Sequence, residues 1–541
     1  MTVTEAAAAA DTANPARRRL AEIRLPLLAL GAAALLLAAL AIALPCDHDE
    51  GQYLAAAALS GRLRPYADFV YLQTPLQPHL TALIAALAPG WAFVALRLFN
   101  AAIGVGVLAL AYASQRRLGV PAPRALIACG LLLAAYPFQF SSVVARNDAL
   151  PALLEAAAML AGLEALAPGR ARWLGWTAAG LLLGAAASAK ISYAFPLAAT
   201  GLYLLWGAWR RRLGLASLIG CGLGAAAGLL PSLLAYLSAP EGFVWGVLTY
   251  AETAPKAWYS QLGEAGRLSL PSRAMEGAFH LGVGPLLGIL AGVVLAAALV
   301  RRGRAASPSV GYLQALALAG LAAAFAPSPM QRQYLLPMLP PLIVLWGAQD
   351  PLSRLGKPSR QAVLALVLIG LAIGLGRAGY VLGEAGLGWA GGRLPPALAL
   401  EDEAHWIGRT LAQRGPAGPV ATLSPRAVLD SGAALDPRFA AGAFAYRTGD
   451  LVPDAEQRRL HMTSPRTLAS DLDATPPAAL VTGYEQPAGL HRRNVDDDLR
   501  AYARSRGYQR RVSPDGVAEL WLNPLWAASP AAPSPSRRPG S

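Results

Sequence analysis

The chain has 541 residues, of which 55% are hydrophobic and only 14% are charged. Soluble domains carry about 25% charged residues, and several apolar runs here reach the roughly 20 residues that cross a bilayer, so the composition excludes a soluble globular protein. The formal net charge of +14 does not indicate a nucleic-acid partner, because the arginines fall in short clusters between the apolar runs. The positive-inside rule places such clusters in cytoplasmic loops, where they contact anionic membrane lipids.

The N-terminal region predicts a tail and a membrane anchor. Residues 1–20 are rich in alanine and end in a basic cluster, and they are expected to form a disordered cytoplasmic tail. The apolar run 25–44 is too long for the h-region of a cleaved signal peptide and has no small-residue cleavage site. It is predicted to be a retained signal-anchor helix with its N-terminus in the cytoplasm.

The arginine clusters divide residues 21–383 into alternating spans. Placing every cluster in the cytoplasm gives about eleven transmembrane helices, with the chain leaving the last of them on the outer face of the plasma (inner) membrane. The apolar stretch between Arg172 and Arg210 is too long for one span, so a helical hairpin with Lys190 near its outer turn is expected. The other predicted spans are 25–44, 91–114, 124–140, 149–167, 213–237, 277–300, 309–326, 335–349 and 361–383.

The composition changes after Gly383, where charges return and the apolar runs shorten. Residues 384–526 are predicted to form a small extracytoplasmic α/β domain, followed by a disordered tail rich in proline and serine at 527–541. Hydrophobic periodicity places helices at 399–414 and 495–506. Short buried strands are expected at 420–423 and 479–481, and residues 507–522 are expected to form two strands joined by the turn Pro514-Asp515-Gly516.

This topology collects on the outer face most charged residues that cytoplasmic anchoring does not explain. Charges at or just above membrane depth are costly and usually functional. Acids and bases converging from separate loops indicate a site for an anionic, polar ligand at the outer membrane surface. The residues concerned are Asp47, Asp49, Glu50, Asp68, Arg146, Asp148, Lys190, Lys256 and Arg332.

The first outer loop, 46–78, carries the sharpest pattern. Residues 49–60 are predicted to form a short interfacial helix with Asp49 and Tyr53 on one face and Gly61 as its C-terminal cap. The alternative is that the acidic residues only solvate a loop. The amphipathic, aromatic-rich character of the segment favours a functional role.

Three motifs together resemble those of the GT-C glycosyltransferases, in particular the protein O-mannosyltransferases and the aminoarabinose transferases that modify lipid A. The residues Asp49-Glu50, Tyr53, Gly61, Pro65-Tyr66, Asp68 and Pro75 resemble the first outer loop of that family. Arg146-Asn147-Asp148 resembles its second acidic motif. Arg332-Gln333-Tyr334-Leu335, with Pro337 and Pro340, resembles its late segment before a proline-bearing helix. The resemblance covers residues 20–350, but the outer segment 238–276 has no matching motif. The resemblance implies transfer of a sugar from a polyprenyl-phosphate donor, with Asp49 at the catalytic position.

The chemistry of such a donor sets the expected roles. A phosphate-linked sugar already has a good leaving group, so the reaction needs one carboxylate to take the proton of the acceptor, and cations to hold the departing phosphate. Single displacement with inversion is expected. Asp49 is assigned as the base and Asp148 as a second carboxylate that orients the acceptor or a metal.

Several positions are expected to bind the substrate, and three of them have a simpler alternative. Lys190 alternatively snorkels at a helix end, Arg146 alternatively only pairs with Asp148, and for Tyr334 a place in the interfacial aromatic belt is favoured. Arg332 and Lys190 are the leading phosphate ligands. The full expected set is Glu50, Tyr53, Arg146, Lys190, Lys256, Arg332 and Tyr334.

The sequence leaves the cofactor, the acceptor and two other function classes open. A divalent ion such as Mg²⁺ or Mn²⁺ would be held by Asp49 and Asp148, whereas the histidines follow no zinc spacing. The acceptor is a lipid, a glycan or a protein. A transporter or flippase would place its charges at the bilayer midplane in broken, repeated helices, and a non-catalytic scaffold would leave the charged first loop unexplained.

Overall fold

The computed structural model describes residues 15–167, 172–300, 307–413, 418–488 and 493–526, and these are mostly helical. Both predicted terminal tails lie outside the described residues in large part, as do the arginine clusters at Arg170 and Arg301. The first helix begins at Pro15. The expectation of disorder up to residue 20 was therefore wrong for its last residues, because the helix of the apolar run continues through the basic cluster.

Each predicted span corresponds to a helix or to a bent pair of helices. Five helices in the described parts of the chain are long and apolar enough to cross a membrane, or up to eight if each of three bent pairs is one span, so the predicted number of eleven is not confirmed. The bent pairs are Ala122–Leu133 with Tyr136–Val143 (72°), Leu215–Gly228 with Leu230–Ser238 (45°) and Leu270–Gly282 with Leu286–Leu299 (101°). The helices are α1 (Pro15–Ala43), α2 (Glu50–Leu59), α3 (Leu76–Leu87), α4 (Ala92–Arg117), α5 (Ala122–Leu133), α6 (Tyr136–Val143), α7 (Ala149–Ala165), α8 (Arg172–Ala189), α9 (Ala194–Trp209), α10 (Leu215–Gly228), α11 (Leu230–Ser238), α12 (Pro240–Val244), α13 (Tyr250–Gln261), α14 (Leu270–Gly282), α15 (Leu286–Val300), α16 (Pro308–Phe325), α17 (Leu339–Gln349), α18 (Pro351–Arg354) and α19 (Lys357–Ala390).

Short helices fill the outer segments. Helix α2 lies where a short helix was predicted, but most of it is buried in the protein and its C-cap is Ser60 and not Gly61. Helix α3 was not predicted, and the segment 238–276 is mostly helical. Gly242 and Gly246 bring this segment against the first loop, since a Cβ at either position would overlap the carbonyl oxygen of Tyr66 or Tyr71. The first outer loop is therefore covered by protein and is not a free surface loop.

The C-terminal part forms a four-stranded sheet between helices. The strand order is β1-β2-β4-β3, with β1 and β2 parallel and the other neighbours antiparallel. Leu480 packs with α25 on one face, while Ala479 and Val481 pack with α20 on the other, as the alternation of side chains along a strand requires. The elements are α20 (Pro396–Ala412), β1 (Val420–Thr422), α21 (Arg426–Leu429), α22 (Ala443–Tyr446), α23 (Asp454–Arg459), α24 (Leu468–Ala474), β2 (Ala479–Thr482), α25 (Asp496–Ser505), β3 (Gln509–Val512) and β4 (Glu519–Leu522).

This sheet domain docks on the N-terminus of α4. The carboxylate of Asp430 accepts hydrogen bonds from the backbone N–H of Ala92 at 2.7 Å and of Phe93 at 3.0 Å, and Glu401 accepts one from Val94 at 3.2 Å. The first N–H groups of a helix have no partner within the helix, and carboxylates are favoured beside them. The domain thereby satisfies the exposed end of a membrane helix.

A buried ion pair ties α4 to the first two helices. Arg97 and Glu50 are fully buried, with their charged atoms 2.6 Å apart. The guanidinium uses all five of its N–H groups: two on Glu50, and three on the carbonyl oxygens of Ala41, Leu44 and Pro45. Arg97 therefore caps the C-terminal end of α1 and fixes the start of α2 at once.

We expect Glu50→Ala to lower the free energy of unfolding by about 3–5 kcal/mol, because it leaves the Arg97 charge buried without its partner. Thermal unfolding of the purified protein in detergent measures the loss. Glu241→Ala is the control, since its exposed ion pair with Arg459 at 3.7 Å is worth at most about 1 kcal/mol. Equal stability of the two variants would contradict the structural role of Glu50.

We expect Asp430→Ala to lower the free energy of unfolding by about 1–2 kcal/mol, because two N–H groups of α4 lose their acceptor. Limited proteolysis should also cut faster between α19 and α20, where the docked domain joins the membrane helices. Asp402→Ala, which removes an exposed acid of α20, serves as the control. Unchanged melting and cleavage in Asp430→Ala would show that the cap does not hold the domain.

Candidate active site

Glu50 also fixes the backbone of two loops that carry the charged residues. Its carboxylate accepts hydrogen bonds from the backbone N–H of Asp47 at 2.7 Å and of Ala145 at 2.6 Å. Glu50 does not line the cavity that opens beside Asp47 and Asp49. The expected substrate-binding role of Glu50 is thus corrected: both of its oxygens are occupied by Arg97 and by backbone, and it holds the loops that bind.

Three amide side chains support the loop 144–148, the second loop of the site. Asn100 of α4 donates to the carbonyl oxygens of Val144 and Arg146 at 2.5 and 3.0 Å, and Gln77 of α3 donates to that of Arg146 at 2.9 Å. Asn147 donates to the carbonyl oxygen of Ala189 at 3.1 Å. The irregular backbone of this loop is therefore hydrogen-bonded inside the protein, which is the condition for such backbone at membrane depth.

The Arg146 guanidinium lies among three carboxylates. Its Nη1 contacts Asp47 Oδ1 at 2.6 Å and also pairs with Asp49, and its Nε donates to Asp148 Oδ2 at 3.1 Å. Arg146 therefore does not pair with Asp148 alone. It joins the first outer loop to the loop that carries Asp148.

Two further cations complete this charge network. Lys190 Nζ pairs with Asp148, and Arg332 Nη2 contacts Asp47 Oδ2 at 3.3 Å. Lys190 lies between α8 and the short turn that precedes α9, as the hairpin prediction placed it, but its ammonium group is buried and paired and does not snorkel. The cations expected to bind phosphate are therefore brought together, with the exception of Lys256.

A cavity of about 290 Å³ opens beside the network. The Asp49 and Arg332 side chains are each 27% exposed, while Asp148 is 1% exposed and does not line the cavity. The expected role of Asp148 as a second catalytic carboxylate is thus corrected to a positioning role, because it holds Arg146 and Lys190 from behind. Asp47 also lines the cavity, but both of its oxygens pair with arginines and it is 17% exposed, so Asp49 is the more accessible carboxylate.

Aromatic rings shape the same cavity. The Arg332 guanidinium lies 3.8 Å from the ring centroid of Phe140, and Lys190 Nζ lies 5.5 Å from that of Tyr334. Tyr53 and Tyr334 both line the cavity, so Tyr334 does not stand in an aromatic belt. Cation–π contacts of this kind hold the cationic groups in place without neutralising them.

The opposing charges determine the pKa shifts in the network. Burial alone would raise the pKa of Asp47, but Arg146 and Arg332 lower it below its usual range. Burial alone would lower the pKa of Arg146, which the three aspartates instead raise. For Lys190, burial outweighs Asp148 and lowers the pKa. Lys190 therefore loses its proton more readily than a lysine in water, whereas Arg146 is held in its charged form.

Besides the roles of Glu50 and Asp148, sequence reasoning placed Lys256 wrongly, and it assigned no role to Arg447, Arg97 or Asp47. Lys256 is exposed and does not line the cavity, although its neighbour Pro255 does. Arg447 of the sheet domain lines the cavity and had no motif to indicate it. Arg97 had a signal, namely an arginine inside an apolar run. Asp47, which carried no expected role, bridges Arg146 and Arg332.

The geometry does not fit the divalent ion that the sequence left open. Within the described ranges, no three His, Cys, Asp or Glu side chains are grouped as ligands. Asp49 and Asp148 are separated by the guanidinium of Arg146, which pairs with both. A cationic side chain therefore takes the place that a metal shared by these two carboxylates would need.

Comparisons with known proteins agree with the motifs. Residues 78–234, which include Arg146, Asp148 and Lys190, match the family of dolichyl-phosphate-mannose-protein mannosyltransferases. No curated protein sequence matches the chain.

The fold is similar to that of ArnT from Cupriavidus metallidurans. The structure of ArnT bound to undecaprenyl phosphate is 18% identical and has a TM-score of 0.60, covering 94% of this chain and 99% of that chain. The apo structure is 16% identical, with a TM-score of 0.58, and covers 93% and 98%. These comparisons agree with the resemblance stated from the motifs: the chain has the fold of the ArnT structures, and its apolar helices are those of a multi-pass membrane protein.

Proposed function

We propose that the protein is an inverting glycosyltransferase that moves a sugar from a polyprenyl-phosphate donor to an acceptor at the outer face of the plasma membrane. The observation that carries this proposal is the Asp49 carboxylate, which faces a cavity that is also lined by Arg146, Lys190 and Arg332. An accessible carboxylate beside several cations is the set that sugar transfer from a phosphate requires.

The donor phosphate belongs on the cationic side of the cavity. Arg332 is the most exposed of the three cations, and its Nε is buried without a hydrogen-bond partner. An arriving phosphate would satisfy that N–H and compete for Arg146 with Asp49, which Arg146 now holds. Phosphate binding thereby frees the base in the same event that fills the donor site.

The transfer step follows from these positions. Asp49 takes the proton from the hydroxyl or amine of the acceptor as that group attacks the anomeric carbon of the sugar. The bond from the anomeric carbon to the phosphate oxygen breaks on the opposite side, and its electron pair leaves on the phosphate. Arg332, Arg146 and Lys190 stabilise that charge in a water-poor site, where fixed charges act strongly. One displacement inverts the anomeric configuration.

The membrane side is inferred from the two ends of α4. This helix begins under Asp430 of the sheet domain and ends in Arg116 and Arg117. Its 26 residues span about 39 Å at 1.5 Å per residue, enough to cross the bilayer. With the arginines in the cytoplasm, the cavity and the sheet domain face outward. The sheet domain was expected to begin at 384, but α19 continues to Ala390 and α20 begins at Pro396.

The ArnT structure with undecaprenyl phosphate supports a lipid-linked donor of this kind, and the acceptor is a lipid, a glycan or a protein. A transporter or flippase accounts less well for the site. In this protein the charges gather at one end of the helices beside a cavity, whereas a substrate carrier places its charges at the bilayer midplane.

We expect Asp49→Asn to lower kcat by about 10²–10⁴-fold, because the amide cannot accept the proton of the acceptor. The assay follows radiolabelled sugar from a polyprenyl-phosphate donor into membrane acceptors. Asp68→Asn is the matched control in the same loop, since Asp68 pairs only with Arg64 at the surface. Full activity of Asp49→Asn would remove Asp49 from the role of base.

We expect Arg332→Ala to lower kcat/KM for the donor by about 10²-fold or more, because a cation is lost from the departing phosphate. Binding of undecaprenyl phosphate should weaken in parallel. Lys256→Ala is the control, as this exposed residue does not line the cavity, and it should behave as the unmodified protein. Equal losses in both variants would point to a general effect of surface charge.

A further inference from the structure

A second cavity, of about 320 Å³, lies between the first outer loop, α13 and the sheet domain. Its walls include His48, Trp258, Arg447, Tyr484, Glu485 and Arg493. Arg447 lines this cavity and the one that holds Asp49, so the two spaces adjoin at its side chain. His48, which directly precedes Asp49 in sequence, lines the second cavity.

The acid in the second cavity is already neutralised. Glu485 Oε2 lies 2.9 Å from His48 Nε2, and Glu485 Oε1 accepts a hydrogen bond from Ser424 at 2.8 Å. Burial would raise the pKa of Glu485, but its contacts with His48 lower it, and they raise the pKa of His48. The charge of Glu485 is therefore used within the wall and is not offered to a ligand.

The arginines leave an excess of positive charge. The Arg447 guanidinium contacts the Tyr250 hydroxyl and lies close enough to Glu485 to help lower the pKa of that carboxyl, but its buried Nε has no hydrogen-bond partner. Its guanidinium is held 4.4 Å from the ring centroid of Trp258 and 4.7 Å from that of Phe444. Arg493 has its nearest carboxylate, Asp498, at 4.0 Å. A fixed guanidinium with an unused N–H group is suited to a phosphate or carboxylate group.

We propose that this second cavity binds the acceptor, and that Arg447 holds an anionic group of the acceptor, a phosphate or a carboxylate, so that the nucleophilic hydroxyl or amine points to Asp49. The inference rests on the proposed function and adds the acceptor class to it. The donor cations Arg146, Lys190 and Arg332 come from the membrane part of the chain. Arg447 comes from the sheet domain, so the two substrates approach Asp49 from different sides.

Chemical protection of Arg447 tests this proposal without an activity assay. The purified full-length chain is treated with phenylglyoxal in detergent, and peptide mass spectrometry follows the modification of individual arginines. The site probes are sn-glycerol 3-phosphate and glucuronate, with glycerol as the uncharged control. Each probe is tested in the presence of undecaprenyl phosphate, which fills the donor site, and samples with undecaprenyl phosphate alone and with no ligand are compared with them. Arg466, an exposed arginine paired with Asp454, is the internal control.

We expect one or both anions to slow modification of Arg447 by about tenfold at a concentration of about ten times the Kd of the probe, because only the unliganded fraction reacts, and glycerol to have no effect. Protection by sn-glycerol 3-phosphate alone identifies a phosphate acceptor, and protection by glucuronate alone identifies a carboxylate. Three outcomes would overturn the proposal: protection of Arg447 by undecaprenyl phosphate alone, protection by neither anion, or no modification of Arg447 even without ligand.

Variants separate this inference from the proposed function. Arg447→Ala should leave the affinity for undecaprenyl phosphate unchanged and raise KM for the acceptor by about tenfold or more, with Arg447→Lys in between. Arg466→Ala should behave as the unmodified chain. Weaker undecaprenyl phosphate binding in Arg447→Ala would place this residue in the donor site instead. Failure of the unmodified chain to bind undecaprenyl phosphate at all would contradict the proposed function, whatever Arg447 does.

Discussion

The buried ion pair of Glu50 and Arg97 is the interaction on which the rest of the structure depends. Burying two charges is costly, and the cost is offset only when every donor and acceptor is used. Here the guanidinium donates three hydrogen bonds to backbone carbonyl oxygens at the end of α1. The carboxylate accepts hydrogen bonds from the backbone of two loops as well as from Arg97. One pair thus sets the positions of α1, α2 and α4 and of both loops that carry the site.

The position of this pair explains how neighbouring acids take different roles. Glu50 points into the helices, whereas Asp47 and Asp49 point to Arg146 and the cavity. The acids on the cavity side remain partly exposed, and their cations are shared among several carboxylates. Such a network binds an incoming anion by exchanging partners, because the phosphate replaces charges that Arg146 and Arg332 already face.

The sheet domain is part of the same arrangement. Its carboxylates cap the N-terminus of α4 at Ala92, Phe93 and Val94, about one helical turn before Arg97. The same domain brings Arg447 to the wall that the two cavities share. A domain without a motif of its own therefore adds a cation to the site, and its docking and the support of the first loop meet on one helix.

The sequence by itself determined the membrane class, the positions of the apolar runs, the strands of the C-terminal sheet and the family resemblance. Those features depend on local composition and on periodicity, which are readable along the chain. It also indicated Asp49, Arg146, Lys190 and Arg332, since charges at the ends of apolar runs need an explanation. Only the tertiary structure decided that Glu50 and Asp148 support the site, that Lys256 lies outside it and that Arg447 lies within it. The physical reason is that a side chain's role follows from which partners satisfy its charge, and those partners come from distant parts of the chain.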